Sequence, residues 1–209
     1  MVLGNVERPR REICLISFVE LFQTGCPGRD KFLSRFFGLF NEEVVRYWCK
    51  YPQAPYEDLG RPTLYEPGEK RGHTLDFTLR HKETGRIFVA EMKCELAFEN
   101  YRYLALREPW QLEHHRSQKA FCKFLELAKN PEAYEVRVGG SQIRVDGAVL
   151  IWGVVLPEGR RTVMEKYGFA EVLAVEDMIK DLRQWKPGEW IQRIEQVQGW
   201  VNQLLEALK

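Results

Sequence analysis

Residues 73–94 are HTLDFTLRHKETGRIFVAEMKC, and this stretch determines the predicted fold. Apolar residues occupy alternate positions in its first half, and a second apolar run follows the central glycine. Such patterns are typical of β-strands, so we expect strands over residues 73–81 and 86–96. The Lys-Glu-Thr-Gly sequence between them is a turn signal, and the segment therefore predicts an antiparallel hairpin.

Three charged side chains interrupt the apolar pattern of this hairpin. Asp76 lies between two apolar residues of the first strand, and Glu91 and Lys93 lie two positions apart on the second. Side chains two apart on a strand leave from the same face. Because a carboxylate or an ammonium group is costly to bury alone, the pair predicts a functional site rather than a solvated edge.

The pairing of the two strands decides whether the acidic side chains meet. A turn that is symmetric about Glu83 and Thr84 places Asp76 directly opposite Glu91. Two carboxylates at that separation repel each other unless a cation lies between them, and oxygen ligands suit Mg²⁺ or Mn²⁺. The alternative is a three-residue loop with Gly85 in the left-handed conformation, which shifts the pairing by one residue and turns the carboxylates to opposite faces.

The rest of the chain alternates helical and strand patterns. Helical patterns occur at residues 13–22, 29–51, 111–129, 161–167, 176–184 and 189–208, and strand patterns at 134–138, 142–145, 148–156 and 171–175. Residues 52–72 are rich in proline and glycine and predict a loop with a short edge strand at 63–65. This order predicts an α/β fold in which helices flank a central mixed β-sheet. We expect a single domain over residues 1–209, with its core at about 29–182, extra N- and C-terminal helices, and an amphipathic C-terminal helix at 189–208.

Asp76, Glu91 and Lys93 resemble the catalytic residues of the PD-(D/E)xK nuclease superfamily, which has the restriction-endonuclease-like fold. That superfamily carries an Asp on one strand and a D/E-x-K motif on the neighbouring strand, in the order helix, three-stranded meander, helix, strand. The resemblance implies that Asp76 and Glu91 bind one or two divalent metal ions and that Lys93 orients or activates the attacking water. Leu75 stands where the superfamily has proline, a departure that leaves the chemistry unchanged.

Further site residues are expected on the helices that flank the hairpin. Glu43 lies on the apolar face of the preceding helix, and the resemblance implies that it joins Asp76 and Glu91 as a catalytic metal ligand; the alternative is that it borders the core. Gln118 lies with His114 on the inner stripe of the following helix. Gln118 is a candidate substrate contact, with an ordinary hydrogen-bonded buried side chain as the alternative.

Two segments beside the predicted site carry cations, one leading into the first strand of the hairpin and one following the second. The second also contains tyrosines and a tryptophan, which stack on bases, while cations hold phosphates. The candidate substrate-binding residues are Lys70, Arg71, His73, Arg102 and Arg107. The alternative for both segments is an ordinary solvated loop.

Composition excludes several classes of protein. A hydrophobic fraction of 44% and an aromatic fraction of 12% are typical of a globular domain, and a net charge of +1 provides no global field for a polyanion. The five cysteines lack C-x-x-C spacing, which argues against a zinc ribbon, a redox motif or a disulfide framework. No signal peptide or membrane-spanning run is recognised, and we expect a cytoplasmic protein.

These features predict a metal-dependent DNA endonuclease that hydrolyses phosphodiester bonds, with Mg²⁺ or Mn²⁺ as cofactor and DNA as partner. One alternative is a non-catalytic nucleic-acid-binding or assembly subunit that retains the fold. Another is a structural domain in which Glu91 and Lys93 form an ion pair. The C-terminal helix has an apolar seam at heptad spacing, which either mediates a homodimer or packs on its own domain.

Overall fold

The computed structural model describes residues 31–94 and 104–208 of the chain. The helix predicted at residues 13–22 and the candidate Arg102 lie outside these described residues. The helices are α1 (Lys31–Lys50), α2 (Lys119–Lys129), α3 (Pro157–Tyr167), α4 (Val175–Trp185) and α5 (Gly188–Ala207), with 3-10 helices at Pro109–Ser117 and Pro131–Ala133. The strands are β1 (Tyr56–Asp58), β2 (Pro62–Tyr65), β3 (His73–Thr74), β4 (Phe77–His81), β5 (Ile87–Lys93), β6 (Ala105–Leu106), β7 (Glu135–Val138), β8 (Ser141–Ile143), β9 (Gly147–Trp152), β10 (Val154–Val155) and β11 (Glu171–Ala174).

A five-stranded mixed sheet with the order β1-β4-β5-β9-β11 forms the centre of the molecule. The strands β1, β4 and β5 are antiparallel neighbours, whereas β9 runs parallel to β5 and β11 runs parallel to β9. Every residue of β9 is buried, as expected for a parallel strand that is covered on both faces. The predicted α/β fold with a central mixed sheet between helices is confirmed.

The two faces of the central sheet belong to two separate hydrophobic clusters. On one face, Met92 of β5 packs in the same cluster as Trp48 of α1. On the other face, Val89 of β5 packs with Phe121 of α2. Because side chains alternate along a strand, Glu91 shares the face of Val89, and the charged pair therefore points toward the α2 side of the sheet.

A second, four-stranded antiparallel sheet has the order β3-β2-β7-β8. The prediction of one strand over residues 73–81 is wrong, because β3 belongs to this second sheet and β4 to the central one. The chain bends between them at Leu75 and Asp76, where the Leu75 N–H donates to the Pro62 carbonyl at 2.9 Å. This hydrogen bond ties the residue before Asp76 to the second sheet.

Two strand predictions differ in part from the structure. The predicted strand over residues 148–156 is interrupted at Gly153, where a Cβ atom would lie 2.6 Å from the Cys94 Sγ. The chain resumes as β10, which pairs in parallel with β6.

The strand expected at 63–65 is found as β2, but it is not an edge strand, because β3 and β7 pair with it on its two sides. The segment 52–72 also contains β1, which was not predicted.

The C-terminal helix α5 contacts α1 near its N-terminal end. Trp190 is its buried residue, with ring centroids 5.4 Å from Tyr47 and 6.3 Å from Phe40 of α1. The Arg193 guanidinium lies 3.7 Å from the Glu43 carboxylate. Further along the helix Val197 and Val201 are half-buried, whereas the exposed large apolar side chains are Ile191, Ile194, Trp200, Leu204, Leu205 and Leu208. The predicted seam is thus only partly covered within the described residues, and the homodimer stays a prediction.

None of the helices in residues 31–94 and 104–208 is both long enough and apolar enough to span a membrane.

Candidate active site

The hairpin of β4 and β5 has the register that the symmetric turn predicts. Phe77 pairs with Ala90, and continuing this register by one residue sets Asp76 opposite Glu91. Asp76 itself lies at the bend that precedes β4 rather than within the strand. The two acidic residues therefore occupy neighbouring positions on adjacent chain segments, as the sequence predicts.

The turn of this hairpin contains Gly85 in the left-handed conformation, and the two strands nevertheless pair in the register of the symmetric turn. Gly85 has φ of 70°, which is the conformation on which the shifted alternative depends. The loop nevertheless spans residues 82–85, because the His81 N–H donates to the Arg86 carbonyl at 2.9 Å and the Gly85 N–H donates to the His81 carbonyl at 2.8 Å. The glycine thus completes a longer loop and adds no residue to either strand.

Glu91 and Lys93 form a close ion pair near the carboxyl end of β5. The Lys93 Nζ donates to the Glu91 Oε1 at 2.7 Å, and both side chains are largely shielded from solvent. The second oxygen, Glu91 Oε2, is buried, and no donor among the described residues lies within hydrogen-bonding distance of it. A carboxylate with one oxygen left over is costly in a buried position, so this oxygen is suited to a cation.

Asp76 is held at the same place by the backbone. Its Oδ2 accepts a hydrogen bond from the Met92 N–H at 2.9 Å, and its Oδ1 lies 3.6 Å from the Arg61 Nη2. The backbone N–H of Met92 lies between the two charged positions of β5. The carboxylate of Asp76 is thereby fixed beside Glu91 and Lys93.

The pKa of Glu91 is shifted by its burial and by the neighbouring Lys93 and Asp76 side chains. Burial raises the pKa of Glu91 to about 7, an effect that the Lys93 ammonium opposes and the Asp76 carboxyl reinforces. A divalent cation between Glu91 and Asp76 would favour the ionised form of Glu91. The donor set of Asp76, Glu91 and Lys93 is therefore chemically suited to a hard cation with carboxylate ligands.

Lys93 is bordered by aromatic groups from the α2 side. Its Nζ lies 5.5 Å from the centroid of the Phe121 ring, and the Trp152 ring on β9 lies 5.8 Å from that of His115. His115 is almost completely buried, and burial, followed by the charges of Lys93 and His114, lowers its pKa to about 3. A neutral imidazole therefore forms part of the wall beside the Lys93 ammonium.

Glu43 lies beside two arginine side chains, and its predicted role as a metal ligand stays a prediction. Its carboxylate lies 3.2 Å from the Arg46 guanidinium and 3.7 Å from that of Arg193, and its side chain is 38% exposed. Among the described residues, no hydrogen bond or ion pair joins it to the hairpin acids, and no group of three or more His, Cys, Asp or Glu side chains gathers into a metal-binding cluster. The polar side chain that α1 buries, among those described, is Asn41, which is 0% exposed.

The prediction of one helix over residues 111–129, with His114 and Gln118 on its inner stripe, is wrong. A 3-10 helix ends at Ser117, Gln118 is extended with φ of −91° and ψ of 114°, and α2 begins after it. The break changes the helical phase, so that both predicted inner residues are exposed. Buried in their place are His115 and Gln111, whose amide oxygen accepts from the Arg107 N–H at 2.7 Å.

The predicted substrate-binding cations lie on the surface. Lys70, Arg71 and Arg107 are exposed, and His73 is half-buried on β3. The loop of Lys70 and Arg71 precedes β3, which leads to the bend at Asp76. Their surface positions leave the substrate assignment as a prediction.

Two residues of the site were not predicted from the sequence. Arg61 comes from the proline-rich stretch expected to be a loop, and nothing in its spacing connects it with Asp76. His115 was missed because a continuous helix turns His114 inward instead.

No protein-family model matches the chain, and comparisons with curated proteins and with solved structures returned no significant similarity.

Proposed function

We propose that this protein is a metal-dependent nuclease that hydrolyses phosphodiester bonds of DNA, with Asp76, Glu91 and Lys93 as its catalytic residues. The observation that carries the proposal is the juxtaposition of two carboxylates and one ammonium group at one end of a buried hairpin, with Glu91 Oε2 left without a donor. A structural Glu91–Lys93 ion pair would leave the buried Glu91 Oε2 without a partner, whereas a divalent cation beside Asp76 and Glu91 would satisfy it.

The arrangement of strands around the site supports the same proposal. Helix α1, the antiparallel strands β1, β4 and β5, helix α2 and then β9 follow in chain order, with β9 parallel to β5. This order agrees with the helix, three-stranded meander, helix and strand that the resemblance to PD-(D/E)xK nucleases implies. The restriction-endonuclease-like core is therefore part of the proposal rather than separate from it.

The chemistry assigns a distinct role to each of the three residues. Mg²⁺ or Mn²⁺ supplies positive charge for phosphoryl transfer and lowers the pKa of bound water. Asp76 and the unpaired oxygen of Glu91 are the groups that would hold the cation, and the hydrogen bond from Met92 keeps Asp76 oriented. Lys93 donates N–H groups from a position fixed by Glu91 and can orient either the attacking water or a phosphate oxygen.

Two other functions remain as alternatives with distinct signatures. A non-catalytic nucleic-acid-binding or assembly subunit would bind DNA without cutting it. A structural domain with a Glu91–Lys93 ion pair would bind neither DNA nor a divalent cation at this site.

The test is cleavage of plasmid and branched DNA in Mg²⁺ or Mn²⁺ by the wild-type protein and by Asp76→Ala and Lys93→Ala. Glu57→Ala is the matched control, because it removes a partly exposed carboxylate of the same sheet that pairs with Arg80. We expect both site variants to lose cleavage and the control to retain it. Absence of cleavage by the wild type, together with no calorimetric Mn²⁺ binding that Asp76→Ala removes, would reject the proposal.

A further inference from the structure

Arg61 is held beside Asp76 by hydrogen bonds that join residues 61 and 62 to Leu75, the residue before Asp76. The Arg61 Nε donates to the Leu75 carbonyl at 3.3 Å, and the Leu75 N–H donates to the carbonyl of the neighbouring Pro62 at 2.9 Å. The Arg61 Nη2 then lies 3.6 Å from the Asp76 Oδ1. The Arg61 guanidinium, which precedes β2 of the second sheet, thus lies next to the bend that contains Asp76.

These contacts engage only some of the N–H groups of the Arg61 guanidinium. The Arg61 side chain is 57% exposed, whereas that of Asp76 is 17% exposed. A guanidinium has five N–H groups in a planar fork, and at Arg61 only the Nε donates a hydrogen bond within the described residues. The 3.6 Å separation from Asp76 is longer than a hydrogen bond between charged groups. The outward edge of the fork therefore faces solvent next to the candidate cation site.

We propose that Arg61 is a phosphate-binding residue that holds the nucleic-acid backbone beside the cation position of Asp76 and Glu91. The planar fork of arginine matches two oxygens of a phosphate group, which is the partner that its free N–H groups suit best. With a cation held by Asp76, the Arg61 guanidinium would lose part of its attraction to that carboxylate and would be available to a phosphate. This role rests on the proposed nuclease function and adds a residue that contacts the substrate.

The surface that continues from Arg61 has the same chemical character. Pro62 and Leu64 of β2 are buried, so the alternate residue Tyr65 is on the outer side with Arg61. The Arg137 guanidinium on β7 lies 5.0 Å from the centroid of the Tyr65 ring and also forms an ion pair with Glu135. A nucleic-acid strand that leaves the site along the second sheet would thus meet a second arginine and an aromatic ring.

The experiment measures binding of a short fluorescent DNA duplex in Ca²⁺ over a range of salt concentrations, together with Mn²⁺ binding by calorimetry without DNA. The proteins are the wild type, Arg61→Ala, Arg61→Lys and Arg80→Ala, the last as a control because Arg80 is an exposed arginine paired with Glu57 at the far end of β4. We expect Arg61→Ala to weaken duplex binding about tenfold and to reduce the slope of log affinity against log salt by about 1. Arg61→Lys should retain part of the affinity, and Arg80→Ala should match the wild type.

The metal measurement separates phosphate binding from a structural role. Removing a positive charge beside Asp76 should leave Mn²⁺ affinity unchanged or increase it. Weaker Mn²⁺ binding and a lower Tm in Arg61→Ala would show that Arg61 only supports Asp76, and would overturn the inference. Duplex affinity equal to the wild type in Arg61→Ala would also overturn it.

The same data distinguish this inference from the proposed function. If the wild type cuts DNA and Arg61→Ala binds duplex normally, the nuclease stands and the role of Arg61 fails. If no cleavage or Mn²⁺ binding is found but Arg61→Ala loses duplex affinity, Arg61 remains a phosphate contact in a non-catalytic protein. A wild type that binds no duplex at all rejects both.

Discussion

The Met92 N–H donates a hydrogen bond of 2.9 Å to the Oδ2 of Asp76, which joins the bend before β4 to the strand that carries Glu91 and Lys93. Because this bond uses the backbone of β5, Asp76 is placed by the sheet itself rather than by a neighbouring side chain. The position of the acid should therefore tolerate changes of charge better than the loss of an acceptor.

The first prediction compares two substitutions of Asp76. Asp76→Asn retains an oxygen acceptor for the Met92 N–H, whereas Asp76→Ala leaves that donor without its partner. We expect Asp76→Ala to lower the free energy of unfolding by about 1 kcal/mol relative to Asp76→Asn. Both should lose Mn²⁺ binding. Urea denaturation and calorimetry measure the two effects, and retained Mn²⁺ affinity in both variants would contradict the metal site.

The second prediction concerns the pH dependence of stability that Glu91 causes. Its pKa is raised to about 7 in the folded protein, from 4.5. Between these values the folded state binds more protons than the unfolded state, so the free energy of unfolding falls as pH rises. In EDTA, Glu91→Gln should lack this fall. The check is a set of urea titrations from pH 4.5 to 7.5, in which parallel curves for the two proteins would be the opposing result.

The third prediction concerns His115, whose effect on the pH dependence of stability is opposite to that of Glu91. Its folded pKa is lowered to about 3, from 6.5. Between these values the unfolded state binds more protons, so this group makes the free energy of unfolding fall as pH is lowered below 6.5. His115→Phe should reduce the loss of stability on acidification, while the exposed His114→Phe should not. Equal acid sensitivity of both variants would show that His115 is not buried in its neutral form.

The fourth prediction tests the packing of α3 against the segment around β6. A Cβ atom at Gly159 would lie 2.3 Å from the Leu106 carbonyl oxygen, whereas one at Gly199 in α5 would meet nothing within 4 Å. Gly159→Ala should therefore destabilise the protein by about 1–3 kcal/mol. Gly199→Ala should stabilise α5 by up to about 1 kcal/mol, because alanine favours helices. Thermal unfolding of both variants checks the contrast, which would fail if Gly159→Ala were neutral.

The fifth prediction tests the homodimer expected from the C-terminal helix. Trp200 and Leu204 are 53% and 59% exposed on α5, and a self-association through this helix would bury them. Light scattering should give twice the chain mass of 24.6 kDa for the wild type and the single-chain mass for Trp200→Glu with Leu204→Glu. Gln203→Glu on the same helix is the control. A monomeric wild type would contradict the prediction.

Local periodicity predicts the structure correctly for the hairpin, the buried strand β9 and the amphipathic helices, which follow from alternation of period two or of 3.6 residues. The hairpin register was left open between two alternatives, because it depends on the conformation of the turn. Periodicity does not predict the structure where a single residue changes the course of the chain. The extended Gln118 divides one predicted helix into two elements of different phase, and the bend at Asp76 divides one predicted strand between two sheets.

The sequence by itself therefore determined that this is an α/β protein and that Asp76, Glu91 and Lys93 belong to one β-hairpin segment, because strand period and turn signals are local. The structure decided between the two registers that the turn allows, and it brought Asp76 opposite Glu91. Tertiary structure alone decided that Arg61 lies beside Asp76, since Arg61 precedes β2, Asp76 lies at the bend before β4, and long-range hydrogen bonds to Leu75 bring the two segments together. It also decided that Glu43 faces Arg46 and Arg193. The residues that surround a site depend on how whole helices and strands pack together, and local sequence patterns do not predict that packing.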